Sequence, residues 1–182
     1  FVVDALTGIQ ILDSDFKLRE VIQLPQQAYP HGIAIDPENK LIYIVMSRRD
    51  EIGIYDLKSL QSVDTITLSN KFKKTGQYAH HMNDICLDKD SLYISMFSLT
   101  GNVQNNYYDG AIAEYDLSAG CMVGAVASNL WQPHSVKIIN KSLSYLDSMR
   151  GNLHITSQKI ESHFNGFIRG LDYDGKYYYV GQ

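Results

Sequence analysis

Cysteine, tryptophan and proline are scarce: two Cys, one Trp and four Pro among 182 residues. Two cysteines make no disulfide framework, and Cys86 and Cys121 read as small buried strand residues. No apolar run approaches the roughly 18 residues that a membrane helix needs, and no secretory leader pattern is present. The expectation is therefore a soluble, cytoplasmic chain with no membrane partner. A dense basic cluster is also missing. Lys71-Phe72-Lys73-Lys74 comes nearest and reads as a solvated loop. With 16 basic against 20 acidic residues, the net charge of −4 argues against nucleic acid as a partner. There is no Gly-x-Ser-x-Gly nucleophile turn, no glycine-rich phosphate loop and no pair of Cys ligands. No segment keeps a helical period.

What the chain has is short apolar runs. They are rich in Val, Ile, Leu and Tyr (13 Tyr in all) and bounded by Gly, Asp, Asn or Ser, the pattern of an all-β protein. One element returns four times: His31-Gly32-Ile33-Ala34-Ile35-Asp36, Asn83-Asp84-Ile85-Cys86-Leu87-Asp88, His134-Ser135-Val136-Lys137-Ile138-Ile139 and Arg169-Gly170-Leu171-Asp172-Tyr173-Asp174. A second apolar run follows each copy. Tyr55-Asp56-Leu57 and Tyr115-Asp116-Leu117 fall at matching places in the first two units, which supports a true repeat.

The copies are spaced by 52, 51 and 35 residues. Four short strands per unit of about 40–50 residues define a propeller blade. The expected fold is an all-β β-propeller with four-stranded antiparallel blades starting near residues 31, 83, 134 and 169. Hairpins of similar length in a β-sandwich are the alternative source of such a period. Two long loops, Ser69 to His81 and Ser98 to Asp109, carry the excess length. The outer strands of the third unit, around Gly151 to Ile160, are poorly defined. The chain opens on Phe1 without an initiator Met and stops inside a strand pattern. The expectation is a single domain, 1–182, that is a segment of a six- or seven-bladed ring.

In a propeller the first strand of each blade lines the central channel, and its starting residue faces one mouth. His31, Asn83, His134 and Arg169 share that register and form the candidate ligand site, with His81 beside them at the end of a long loop. Arg offers a bidentate fork to a carboxylate or phosphate, and His and Asn add hydrogen bonds. A small polar or anionic molecule is the leading ligand. A divalent metal ion held by Asn83 and Asp84 is the cofactor alternative. Each polar residue also has a plain structural reading, bonded to loop backbone between blades. Trp131 reads as blade-packing core rather than pocket wall.

The elements His81-Met82-Asn83-Asp84, Pro133-His134-Ser135 and Phe167-Ile168-Arg169-Gly170-Leu171, in this order and together with Tyr178-Tyr179-Val180-Gly181, resemble those of an uncharacterised conserved hypothetical family of propeller-like proteins. That resemblance covers roughly residues 77–182 and implies a fold and no reaction. Met82-Asn83-Asp84-Ile85 is also similar to an element of the gluconolactonase and regucalcin propellers. There an Asn of this kind binds a divalent metal, which implies a metal-dependent hydrolase as an alternative. That family's further acidic ligands have no counterpart in His31, His134 and Arg169. A protein-interaction scaffold, with a protein as partner, is the third reading.

Overall fold

A computed structural model of the chain describes residues 1–4, 6, 8–156 and 160–182. Strands β1 (Val2–Asp4), β2 (Gly8–Leu12) and β3 (Leu18–Ile22) form a three-stranded sheet. Three four-stranded sheets follow. The first holds β4 (Pro30–Asp36), β5 (Leu41–Met46), β6 (Glu51–Asp56) and β7 (Ser62–Thr67). The second holds β8 (Met82–Asp88), β9 (Ser91–Met96), β10 (Gly110–Asp116) and β11 (Cys121–Leu130). The third holds β12 (His134–Ile139), β13 (Ser142–Asp147), β14 (Asn152–Ile155) and β15 (Ile160–His163). A two-stranded sheet of β16 (Leu171–Tyr173) and β17 (Tyr178–Val180) ends the chain. Every pairing is antiparallel between neighbours in sequence. This is the blade architecture of a β-propeller.

The middle strands are apolar at nearly every position because both of their faces are covered. On β5, Ile42 and Ile44 pack with Ile9 and Ile22 of the first sheet, while Tyr43 and Val45 pack with Met82, Leu92 and Ile94 of the next blade. The strand period of two thus sorts one apolar run into two interblade layers. Similar layers join the second blade to the third through Ile112, Val136 and Tyr145, and the third to the last sheet through Leu146, Ile155 and Leu171. Each fully buried Ile or Leu contributes about 1.5–3 kcal/mol, so the seams between sheets carry the stability.

Aspartates shape the turns at the end of the channel where β4, β6 and β10 finish. Asp36 accepts from the N–H and the side-chain amide of Asn39. Asp56 accepts from the N–H groups of Lys58 and Ser59, Asp116 from that of Ala119, and Asp174 from those of Lys176 and Tyr177. These are Asx turns, and at Asp36 and Asp174 they explain the Asp that ends the repeated element.

Several expectations are corrected. The third unit is a complete four-stranded blade, because β14 and β15 form where the sequence pattern is weak; residues 157–159 between them lie outside the described residues. Residues 71–75 form a one-turn helix, α1 (Lys71–Thr75), rather than a plain loop. Lys71 Nζ donates to the carbonyls of Thr100 and Gly101, tying the two long loops together. Cys121 is exposed, as is Trp131, because β11 is the outer edge of its blade and Trp131 follows it onto the end face.

Candidate site at the upper channel mouth

The inner strands β4, β8, β12 and β16 stand side by side around a cleft of about 590 Å3. Their starts lie at one mouth, called upper here, together with the ends of β5, β9 and β13. Each of β4, β8 and β12 carries a bulge at the motif register: between Pro30 and Ile33, Met82 and Asp84, and His134 and Lys137. Bulges re-aim side chains, and here they do so at the residues the repeat singled out.

One residue further in, the inner strands are stitched together. Gly32 lies directly on β8: a Cβ there would sit 2.6 Å from Asp84 Cα and 2.8 Å from the Ile85 nitrogen. The Asp84 carboxylate accepts from the Ser135 N–H, and Ser135 Oγ accepts from the Gly170 N–H at 2.9 Å. Burial pushes the Asp84 carboxyl up to about 6, against the pull of the Ile85 and Ser135 N–H groups and of Lys137. Strands enclose this carboxylate while its free edge opens on the cleft, so it is half-buried in surface terms.

Around the mouth the side chains form an arc of rings. Tyr29 and His31 have centroids 5.8 Å apart, His31 and His81 6.0 Å, and His81 stacks on Phe97 at 4.3 Å. Phe97 meets His134 at 5.3 Å, and His134 meets Phe167 at 5.4 Å. A guanidinium caps each end: Arg48 lies 4.3 Å from the Tyr29 centroid and Arg169 5.4 Å from that of Phe167, both within cation–π range. A positive φ of 50° at His81 turns its ring into this arc.

The imidazoles are neutral at physiological pH. Burial, then the charge of Arg169, lowers the His31 value. His81 falls to about 4 through burial and the nearby His31 and Arg48. His134 also falls to about 4, mainly by burial; a hydrogen bond to the Gln132 carbonyl opposes the fall, while Arg169, His31 and His81 add to it. Because that carbonyl can only accept, His134 Nδ1, 3.0 Å away, carries the ring proton. Ser148 Oγ lies 2.9 Å from the same nitrogen. Neutral His134 therefore keeps Nε2 as an acceptor, and protonation would make it a donor.

His31, His81, His134 and Arg169 are thus brought together. Asn83 is not free to join them. It is buried in the seam, where Nδ2 donates to the Pro133 carbonyl at 2.9 Å and Oδ1 accepts from Ser95 Oγ at 2.6 Å. Its role in the structure is to bind the second blade to the third. His80 is likewise held, by the Ser98 carbonyl and Ser69 Oγ. The residues do not fit the metal reading: both ends of the Asn83 amide are engaged, the Asp84 carboxylate faces Ser135, and among the described residues no three His, Cys, Asp or Glu side chains are grouped to hold an ion.

Sequence reading missed Arg48, Tyr29, Phe97 and Phe167. A second repeated register would have pointed to two of them. Ser47, Ser98 and Ser148 each follow the second strand of a blade, are fully buried, and flank Arg48 and Phe97. Ser47 Oγ donates to the Met82 carbonyl across the blade seam.

The chain matches no protein-family model and no curated protein sequence. It is similar in structure to a chain of the mitotic checkpoint complex, with a TM-score of 0.65 at 11% identity, over 96% of this chain and 51% of that one. It is also similar to a chain of the nidogen/laminin complex, with a TM-score of 0.63 at 15% identity, over 91% and 61% respectively. At such identities the likeness concerns the fold alone. This chain is a β-propeller segment that spans about half to three-fifths of those chains' length.

Proposed function

We propose that this protein is a binding propeller whose upper mouth receives an anionic group. Arg169 is its charge partner, and His31, His81 and His134 are polar neighbours that neutral imidazole chemistry makes responsive to the ligand. The observation that carries this reading is the convergence of three imidazoles and Arg169 at one mouth of the channel, with the Asp84 carboxylate lying further in, on the cleft. Such a set suits a small ligand bearing a carboxylate or phosphate. A hydroxyl on that ligand would meet the acceptor Nε2 of His134. The hydrolase alternative has no observation in its favour, since its expected metal ligand, Asn83, is engaged within the fold.

The same reading takes residues 1–182 as one propeller domain, with further blades completing a six- or seven-bladed ring. A protein-interaction scaffold is the second reading. It is favoured by the structural neighbours, which are chains of protein complexes.

The test is calorimetric titration of the full chain with citrate, inorganic phosphate and a set of hydroxy acids, on Arg169, Arg169→Lys and Arg169→Met forms. Arg169 is exposed, so Met should cost affinity about tenfold, or roughly 1.4 kcal/mol, with little change in Tm. Lys keeps the charge and loses the fork, so its affinity should fall less. Loss of Tm with unchanged affinity would sink the reading.

A further inference from the structure

The upper face has a charge balance opposite to that of the whole chain. Among the described residues, its acids are engaged in hydrogen bonds or ion pairs. Asp4 accepts from the Leu6 N–H, Asp50 from those of Ala79 and His80, and Asp109 from Ser98 Oγ and the Thr100 N–H. Glu51 pairs with Arg49, and Asp147 with Arg150. Among the described residues, Arg48, Lys73, Lys74 and Arg169 of this face make no ion pair. A chain of net charge −4 therefore turns a cationic surface outward at one end of its channel.

Large apolar side chains stand exposed on the same face. Tyr107 is 57% exposed, Trp131 43% and Met149 42%. The backbone that carries them is held in place. Met149 N–H donates to the Trp131 carbonyl at 3.1 Å, Trp131 N–H to Asp147 at 2.7 Å, and Tyr108, next to Tyr107, packs on Phe97 of the mouth. Beside Arg48, a cleft of about 260 Å3 is lined by Gln27, Gln77 and Gln104; Gln104 donates to the Tyr78 carbonyl, and the amides of Gln27 and Gln77 can pair with peptide backbone. Trp, Tyr and Arg are the residue types that dominate binding energy at protein interfaces.

We propose that the upper face docks an acidic, apolar-anchored segment of another protein, its carboxylates meeting Arg169 and Arg48 and its apolar side chains resting on Trp131, Met149 and Tyr107. The inference rests on the anion-receiving mouth proposed above and names what carries the anion. Charge complementarity selects the occupant. Apart from the adjacent Lys73 and Lys74, the free cations Arg48 and Arg169 stand at opposite ends of the aromatic arc, whereas a nucleic acid needs a continuous cationic track along its backbone. A protein segment supplies carboxylates, apolar side chains and backbone amides together.

The test is selection of a random 12-residue phage-displayed peptide library on the immobilised full chain, followed by anisotropy measurements with the enriched peptides. A DNA 12-mer and phosphatidylserine vesicles are separate arms. Enriched peptides should combine Asp or Glu with Leu, Phe or Trp. Their affinity should fall at least tenfold with Arg169→Met and at least fivefold with Arg48→Met or with Trp131→Gln, while Lys176→Met at the other end of the channel changes nothing. All variants should keep the parent's Tm. Should Trp131→Gln lower it, Tyr107→Ser is the replacement anchor variant. The proposal is overturned if no peptide is enriched, if enriched peptides lack acids, or if their binding survives Arg169→Met. Tighter binding of the DNA or the vesicles overturns it as well. Failure here, with Arg169-dependent citrate or phosphate binding intact, would leave the anion-receiving mouth standing and remove only the protein partner.

Discussion

At the lower end of the channel, Asp36, Asp56, Asp116 and Asp174 accept hydrogen bonds from their own turns. At the upper end, among the described residues, the charge of Arg169 and the rings of His31 and His81 have no hydrogen-bond partner of that kind, and His134 has one through a single ring nitrogen. The same strands build both ends. The lower groups have their ionised form stabilised locally. Bonds from Ser59 and Lys58 hold Asp56 below the usual carboxylate range, and those from Asn39 and Glu38 do so for Asp36 in spite of burial. The upper imidazoles have their charged form suppressed, by burial and by each other. A repeated polar residue with a partner in its own turn belongs to the fold. Polar residues that converge from several blades and leave each other unsatisfied are available to a ligand.

The comparison can be broken most severely at the waist between the two ends. Gly32→Ala puts a methyl group against the backbone of Asp84 and Ile85. Neither strand can yield without opening the seam, so the cost should be about 3 kcal/mol, read by urea denaturation. A smaller loss would mean that β4 and β8 slide apart easily.

Acid should act on the upper end. His81 and His134 titrate near 4 in the folded protein, against an ordinary value of 6.5. The unfolded chain therefore takes up protons first as pH falls. The stability they contribute is complete above about pH 6.5 and is lost as pH falls toward 4, by roughly 2 kcal/mol per ring after allowing for partial exposure. His81→Phe keeps a ring on Phe97 and should flatten this dependence by one proton, measured by denaturation at pH 7, 5.5 and 4.5. An unchanged slope would mean that His81 is ordinary.

The lower end should respond in stability alone. Asp36→Ala removes the acceptor of both Asn39 hydrogen bonds and of the Glu38 N–H, and should cost about 2 kcal/mol, with anion affinity at the mouth unchanged. A fall in affinity would show that the ends are not independent.

Smallest is Asp84, whose sign is opposite to that of the histidines. Its folded value is raised to about 6. It therefore favours folding below the ordinary 3.8 and loses that contribution as pH rises through 6. Asp84→Asn should be more stable than the parent by about 1–2 kcal/mol at pH 8, and equal to it near pH 4. Equal stability at both pH values would mean that the channel hydrates this carboxylate fully.

Much of the frame was legible because strand periodicity and turn chemistry are local. The four inner strands begin within two residues of the expected starts, and Tyr55-Asp56 and Tyr115-Asp116 end equivalent strands. The outer strands of the third blade were not legible, since edge strands need not be apolar. The repeat register holds His31, His134 and Arg169, which the structure brings together at the candidate site, but it could not separate Asn83 from them. Asn83 differs through its neighbours, the Pro133 carbonyl and Ser95, which come from another blade and another strand. Trp131 was misplaced for a related reason: size argues for burial, and only the position of β11 at a sheet edge leaves the ring outside.

The most direct test of the upper mouth is an NMR titration of its imidazoles, followed from pH 7.5 to 3.5 with and without citrate. His81 and His134 should stay neutral down to about pH 4. Citrate should move both values upward, because an anion offsets the charges of Arg48 and Arg169 that help to keep the rings neutral. Titration of both rings near 6.5, unmoved by citrate, would contradict the assignment of this mouth as an anion-receiving site.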